Sequence, residues 1–116
     1  MEKIYHGISE CAITATINVI GGKWKLRIIR LLMERTHRFG ELDKRIPGVA
    51  LKVLSRQLKD LEADGIVKRE VFAEVPPRVE YSLTAKGKSL SEVLVSLCEW
   101  SEEHIIGPAA GIAALK

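Results

Sequence analysis

Leu51-Lys-Val-Leu-Ser-Arg-Gln-Leu-Lys-Asp-Leu61 decides how this chain is read. Its apolar residues fall at 51, 54, 58 and 61, the spacing of one face of an α-helix, and Lys52, Arg56 and Lys59 lie off that face. A helix with leucines on one side and cations on the other has a core to pack against and an anion to meet. Just upstream, Phe39 to Ile46 reads as a short helix buried through Phe39, Leu42 and Ile46, and Pro47-Gly48 as a turn. The two form a helix-turn-helix over residues 39–64, whose second helix, about Ala50 to Asp64, suits the major groove of duplex DNA. Gly65 stands where a left-handed C-cap is wanted, and Ile66 is the apolar residue that follows it.

Downstream, Val67 to Phe72 and Arg78 to Leu83 alternate apolar and polar residues as two strands. Val75-Pro76-Pro77 between them forbids a two-residue turn and stiffens an extended loop, so residues 66–84 form a wing. Upstream, Ser9 caps a helix with Ile13, Ile17 and Ile20 at i, i+4 and i+7, ended by Gly21-Gly22. Lys23 to about Met33 is a second helix with Trp24, Ile28, Leu31 and Leu32 inward, and Arg35-Thr-His-Arg38 breaks the pattern. Thr84 caps a last helix to about His104. Leu90, Val93, Leu94, Leu97, Cys98 and Trp100 give that helix an apolar surface wider than one stripe. Such a surface needs the chain's own core and something else, and a second subunit is the simplest candidate. Residues 107–116 are a low-information tail. The expected fold class is mainly α (α+β), one winged helix-turn-helix domain over 1–116 with no internal repeat.

Composition sets the frame. A chain of 116 residues with 47% hydrophobic content is long enough for one core. No apolar run approaches the ~18 residues of a membrane span, and the N-terminus lacks a signal-peptide core. A soluble cytoplasmic protein is expected. The net charge of +3 hides an asymmetry: residues 23–59 hold eleven Lys and Arg against three Asp and Glu, residues 60–116 six against ten. The basic block coincides with the helix-turn-helix and the helix before it. Two cysteines, Cys11 and Cys98, make no CxxC pair, and His6, His37 and His104 show no ligand spacing, so neither a metal nor another cofactor is expected. No nucleophile–base pair or phosphate loop argues for an enzyme. The acidic residues scatter over helix surfaces or pair with basic neighbours, as Glu34 with Arg30 and Arg38.

Several segments resemble the HxlR-type family of transcription regulators. They are Cys11 followed by Ile20-Gly-Gly-Lys-Trp-Lys25, Arg38-Phe-Gly-Glu-Leu42, Ile46-Pro-Gly48, Leu58-Lys-Asp-Leu-Glu-Ala-Asp-Gly-Ile66 and Glu74-Val-Pro-Pro-Arg-Val-Glu-Tyr-Ser-Leu-Thr84. The likeness runs from about Cys11 to His104, and its Gly-Gly-Lys-Trp and Val-Pro-Pro-Arg-Val-Glu-Tyr segments are specific. The resemblance implies a homodimer held by its first and last helices, 9–22 and 84–104. Ile13, Ile17, Leu90, Val93, Leu94, Leu97 and Trp100 are then the expected interface. It implies binding to inverted-repeat promoter DNA, with repression or activation of nearby genes. Some members sense electrophiles or oxidants through the N-terminal cysteine, here Cys11. Two positions depart from the family pattern: Ala12 replaces a usual Pro, and Ala50 replaces the usual Ser at the start of the recognition helix.

The expected DNA contacts follow. Arg56 and Lys52 suit guanine edges, Ser55 or Gln57 a neighbouring edge, and Lys59 a phosphate. Arg78 on the wing suits a minor-groove or backbone contact, or else an ion pair with Glu74 or Glu80. Lys23, Lys25 and Arg38 lie near helix starts, where phosphate is also favoured. Trp24, Phe39, Phe72, Tyr81 and Trp100 read as core or interface. Cys11 is a reactive thiol near a helix start, with His6 and Lys3 nearby, or else a small interface residue; Cys98 reads as buried. A winged helix used only for protein contacts is the competing reading, and it has no need of a basic recognition face. The chain's small-molecule effector is left open by the sequence.

Overall fold

The computed structural model describes residues 10–107. The elements are α1 (Glu10–Ile20), α2 (Lys25–Glu34), β1 (His37–Arg38), α3 (Phe39–Arg45), α4 (Leu51–Ala63), β2 (Val67–Phe72), β3 (Arg78–Leu83) and α5 (Ala85–Ser101), with a π-helical turn over Glu102–Ile106. This is a winged helix, mostly helical with a small antiparallel sheet. Ser9, the tail beyond Gly107, and Lys3 and His6 lie outside the described residues.

The core forms where α2, α3 and α4 turn their apolar stripes toward the sheet. Ile28, Ile29, Leu31 and Leu32 of α2, Leu42 of α3, and Leu54, Leu58 and Leu61 of α4 are buried together with Ile46, Ile66, Val67, Tyr81 and Leu83. Trp24 and Phe39 pack against them half-buried. Leu51 departs from the periodic reading. It is 58% exposed, because the first turn of α4 projects past the core its later turns cover.

The sheet has the order β1-β3-β2, with Val67 opposite Leu83 and Phe72 opposite Arg78. The polar break after α2 contains its third strand: His37 pairs with Tyr81 and Arg38 with Glu80. His37 is fully buried. Arg45 can only donate, so its Nη1 donates to His37 Nε2 at 2.9 Å, and Nδ1–H then donates to the Arg35 carbonyl at 2.9 Å. Glu34 completes the cluster, but with a different partner from the one expected. It lies 2.9 Å from Arg45 and 3.6 Å from Arg30, and Arg45 takes the place given to Arg38. Arg45 reaches it because α3 folds back along the end of α2. The hydrogen bond from Arg45 holds the Glu34 carboxyl below its ordinary value.

The joint between α4 and α5 is built from both helix ends. Gly65 has φ +76°, and the Gly65 and Ile66 amides donate to the Glu62 and Leu61 carbonyls at 3.0 and 2.9 Å, which closes α4 with a Schellman motif. Thr84 then caps α5: its Oγ1 accepts from the Gly87 amide at 3.0 Å and donates to the Gly65 carbonyl. The Thr84 amide donates to the Ile66 carbonyl at 3.0 Å, and Lys86 Nζ to the Asp64 carbonyl at 2.7 Å. Gly87 has no side chain because a Cβ there would strike the Ile66 carbonyl oxygen. The terminus of one helix is thus the capping ground of the next.

Candidate nucleic-acid interface

Helix α4 buries Leu54, Leu58 and Leu61, so the rest of its circumference must face outward. Lys52, Arg56 and Lys59 are exposed, and Ser55 and Gln57 are half-exposed on the flanks. Ala50 precedes the helix in extended backbone without a side-chain cap. A serine at the same place would accept a backbone N–H, a contact worth about 1 kcal/mol in typical helices.

The charges around α4 divide into two sets. Arg30 and Arg45 pair with Glu34, Arg35 with Glu41, Lys68 with Glu70, and Lys25 with Asp60 at 3.9 Å. Lys52, Arg56 and Lys59 have no carboxylate partner among the described residues. A fold with ten acidic residues in its second half has left the outer face of one helix without counter-ions. Leu51 sits exposed at the N-terminal end of that face, a place its spacing with the core leucines did not suggest.

Other expected contacts are placed differently. Arg78 is held inside the wing: its Nη2 lies 3.2 Å from Glu74, its Nε 3.3 Å from Glu80, and its guanidinium 4.1 Å over the Phe72 ring. These are the ion-pair partners named as the alternative, and the contacts tie the two ends of the hairpin loop together. Lys25, with a side chain 12% exposed, is spent against α4 and is not open to a phosphate. Lys23 lies 4.8 Å over the Trp24 ring and is exposed. Arg38 is exposed at the start of α3, where its amide donates to Glu41 Oε1 at 2.8 Å and holds that carboxyl below its ordinary value.

The second expected surface lies on the outer helices. No residue of α1 is buried, and Ile13 and Ile17 are 50% and 56% exposed. On α5, Val93, Leu97 and Trp100 are more than half exposed, and Leu90 is half-buried against the core. Leu94, expected with them, is 6% exposed and belongs to the core of this chain, because it lies on the core-facing edge of the same broad apolar surface, about a quarter turn round α5 from the exposed Val93. An apolar cleft of about 320 Å3 separates α1 from α5, lined by Thr16, Val19, Ile66, Leu90 and Val93 among others. Cys11 is exposed in the first turn of α1. Cys98, expected buried, is half-buried. Desolvation, followed by the nearby Glu102 carboxylate, pushes its thiol pKa up. Among the described residues, no helix is long and apolar enough to cross a membrane.

Known proteins share this fold. The model of the HxlR-like helix-turn-helix family matches residues 19–107. The chain is 55% identical over 90 residues to the HTH-type transcriptional regulator BH0655 of Halalkalibacterium halodurans, covering 77% of this chain and 80% of that one. It is similar to the solved structure of the redox regulator HypR in its reduced form, at 42% identity and TM-score 0.75, covering 79% of this chain and 91% of that one. It is similar also to the reduced form of the transcriptional regulator YodB from Bacillus subtilis, at 33% identity and TM-score 0.78, covering 84% and 96%. With its winged helix, its uncompensated basic helix and these relatives, the chain belongs to the HxlR-like helix-turn-helix family and is a transcriptional regulator, not an enzyme.

Proposed function

We propose that the chain acts in the cytoplasm as a homodimer that binds inverted-repeat duplex DNA, with α4 of each subunit in the major groove. The observation that carries this reading is the outer face of α4, where three exposed cations of one helix, Lys52, Arg56 and Lys59, lie together without a carboxylate partner among the described residues, while Lys25, Arg30, Arg35, Arg45, Lys68 and Arg78 each have one. Arg56 and Lys52 read guanine edges, Ser55 or Gln57 an adjacent edge, and Leu51 offers an apolar contact to a thymine methyl group. Lys59, one turn further from the groove floor, holds a phosphate. A second copy covers Ile13 and Ile17 of α1 and Val93, Leu97 and Trp100 of α5. Cys11 is the thiol through which oxidants or electrophiles act. It is exposed at the start of a helix that has no buried residue of its own, so its modification falls on the dimer seam. HypR and YodB, regulators named for redox control or solved after diamide treatment, lend this part of the reading support.

Selection of bound duplexes from a random pool by the purified protein, with and without diamide, tests it. The expected product is an inverted repeat with half-site centres about 10 bp apart, or a multiple of that spacing. Arg56→Ala should relax one position of each half-site at a cost of about 1–3 kcal/mol. Protection of a single half-site by a monomer, or no enrichment at all, would overturn the reading. If diamide weakens Cys11→Ser as much as wild type, Cys11 is not the responsive thiol.

A further inference from the structure

Between α4 and the wing sheet lies a cleft of about 230 Å3, lined by Ser55, Lys59 and Glu62 of α4, Arg69 of β2 and Tyr81 of β3. The three α4 residues stand at i, i+4 and i+7, so they form a single stripe along the helix facing the sheet. Arg69 stands opposite Tyr81 in the β2–β3 ladder, on the same face of the sheet, and Tyr81 is buried. Both cations of the cleft, Lys59 and Arg69, lack a carboxylate partner among the described residues, although Glu62 shares the space. The neighbouring strand residue Lys68, outside the cleft, is paired with Glu70 at 3.4 Å.

We infer that this cleft seats one backbone phosphate of the bound duplex, gripped by Arg69 and Lys59. The inference rests on the DNA-binding reading above and deepens it. A phosphodiester carries one negative charge and oxygens that accept from a planar guanidinium fork, a rounded ammonium and a hydroxyl. Arg69, Lys59 and Ser55 supply one of each. Two cations and one carboxylate leave a net charge of +1, matched by a single phosphodiester. The cleft continues the exposed face of α4 toward the wing, so a strand whose bases meet Lys52 and Arg56 passes its backbone over this opening. Phosphate contacts position the protein and carry no sequence information. Arg69 is therefore a positioning residue that fixes how far α4 rolls in the groove, and Glu62 bars a second phosphate.

The test measures affinity for the selected site and for random duplex over a salt series, with wild type, Arg69→Ala, Arg69→Lys, Glu62→Gln and Arg56→Ala. Arg69→Ala should weaken both duplexes alike, about five- to tenfold at low salt, and flatten log K against log salt by about one unit per subunit. Arg69→Lys keeps the charge and should restore the slope and part of the affinity, whether or not the alanine variant folds well. Glu62→Gln should tighten both duplexes about two- to fivefold. Neutral methylphosphonates placed singly along the selected site should weaken wild type at one position per half-site and leave Arg69→Ala unaffected there. The inference fails if Arg69→Ala keeps the wild-type slope, if it loses only the selected site, or if the methylphosphonate scan is identical for both proteins. It also fails if inorganic phosphate alone raises the melting temperature through Arg69 while no backbone position matters, which would mark a free-anion site. In each of these cases, wild type that selects an inverted repeat and loses preference on Arg56→Ala leaves the DNA-binding reading standing. Wild type that selects nothing removes both.

Discussion

Helices α1 and α4 have similar lengths, eleven and thirteen residues, and both carry an apolar stripe at helical spacing. Their fates differ. Helix α4 sinks Leu54, Leu58 and Leu61 to 1% exposure or less, whereas α1 fully buries no residue, half-buries Val19 and Ile20 and leaves Ile13 and Ile17 half in solvent. Periodicity tells that a stripe will be covered but not by which chain. An eleven-residue helix packed only through Val19 and Ile20 in its last turn is marginal in water, so α1 depends on contacts from outside its own fold in a way that α4 does not.

The sharpest way to break this contrast is to damage each stripe in turn. Leu58→Ala removes a side chain from the middle of the core, 1% exposed, and should lower unfolding stability by about 2–5 kcal/mol. Urea unfolding at fixed protein concentration measures it, and a loss under 1 kcal/mol would mean that α4 is not the keystone described. Paired charges at Ile17→Glu and Leu97→Glu should act the other way. The core should stay folded by near-UV circular dichroism, the protein should sediment as a monomer, and affinity for an inverted repeat should fall at least about tenfold through loss of the second half-site. A wild-type monomer at micromolar concentration would remove the second copy from the proposal.

A gentler probe touches the polar contacts that α2 and α3 share. Glu34 and Glu41 titrate below the ordinary value of 4.5, the first chiefly through its hydrogen bond from Arg45 and the second through the Arg38 amide. Carboxyls whose folded value is lowered contribute stability that is present above the unfolded value and is lost as pH falls through the folded one. Melting temperatures should therefore drop as pH is lowered past 4.5, and the Glu34→Gln, Glu41→Gln double variant should show a shallower drop from a lower starting point. Because both groups reach solvent, this is the smallest effect of the three. Equal slopes for the two proteins would show that the Glu34 ion pair and the Glu41 cap contribute nothing.

The sequence was legible where one local rule had no rival. Leucine spacing, Gly65 with Ile66, and the Pro76-Pro77 break gave α4, its cap and the wing within a residue or two. It was illegible where tertiary contact reassigns a residue. His37 looks like loop polarity until Arg45 and the Arg35 carbonyl satisfy both ring nitrogens, and only then is a two-residue strand affordable in the interior. Leu51 and Leu94 share the spacing of their neighbours, yet the end of a helix and the side facing α2 exchange their expected places. Arg69 carries no mark in the sequence beyond its place in a strand, and only the fold sets it in one cleft with Lys59, ten positions away on another element. Arg78 shows the reverse: a basic wing residue that suits DNA in sequence is engaged by Glu74 and Glu80 in space.

The shared cap between α4 and α5 has a mechanical consequence. Thr84, Lys86 and the Gly65–Ile66 carbonyls pin the end of one helix to the start of the other, and the lack of a side chain at Gly87 lets the first turn of α5 close on the Ile66 carbonyl. A pinned pair of rods turns as one bent lever. Helix α5 is seventeen residues long, about 25 Å, so a tilt of about 5° at the pin moves its far end by about 2 Å. In a dimer joined through α5, the crossing angle of those far ends would set the gap between the two α4 helices, as the handles of a caliper set its jaws. A chemical event far from DNA would then be read out as a length.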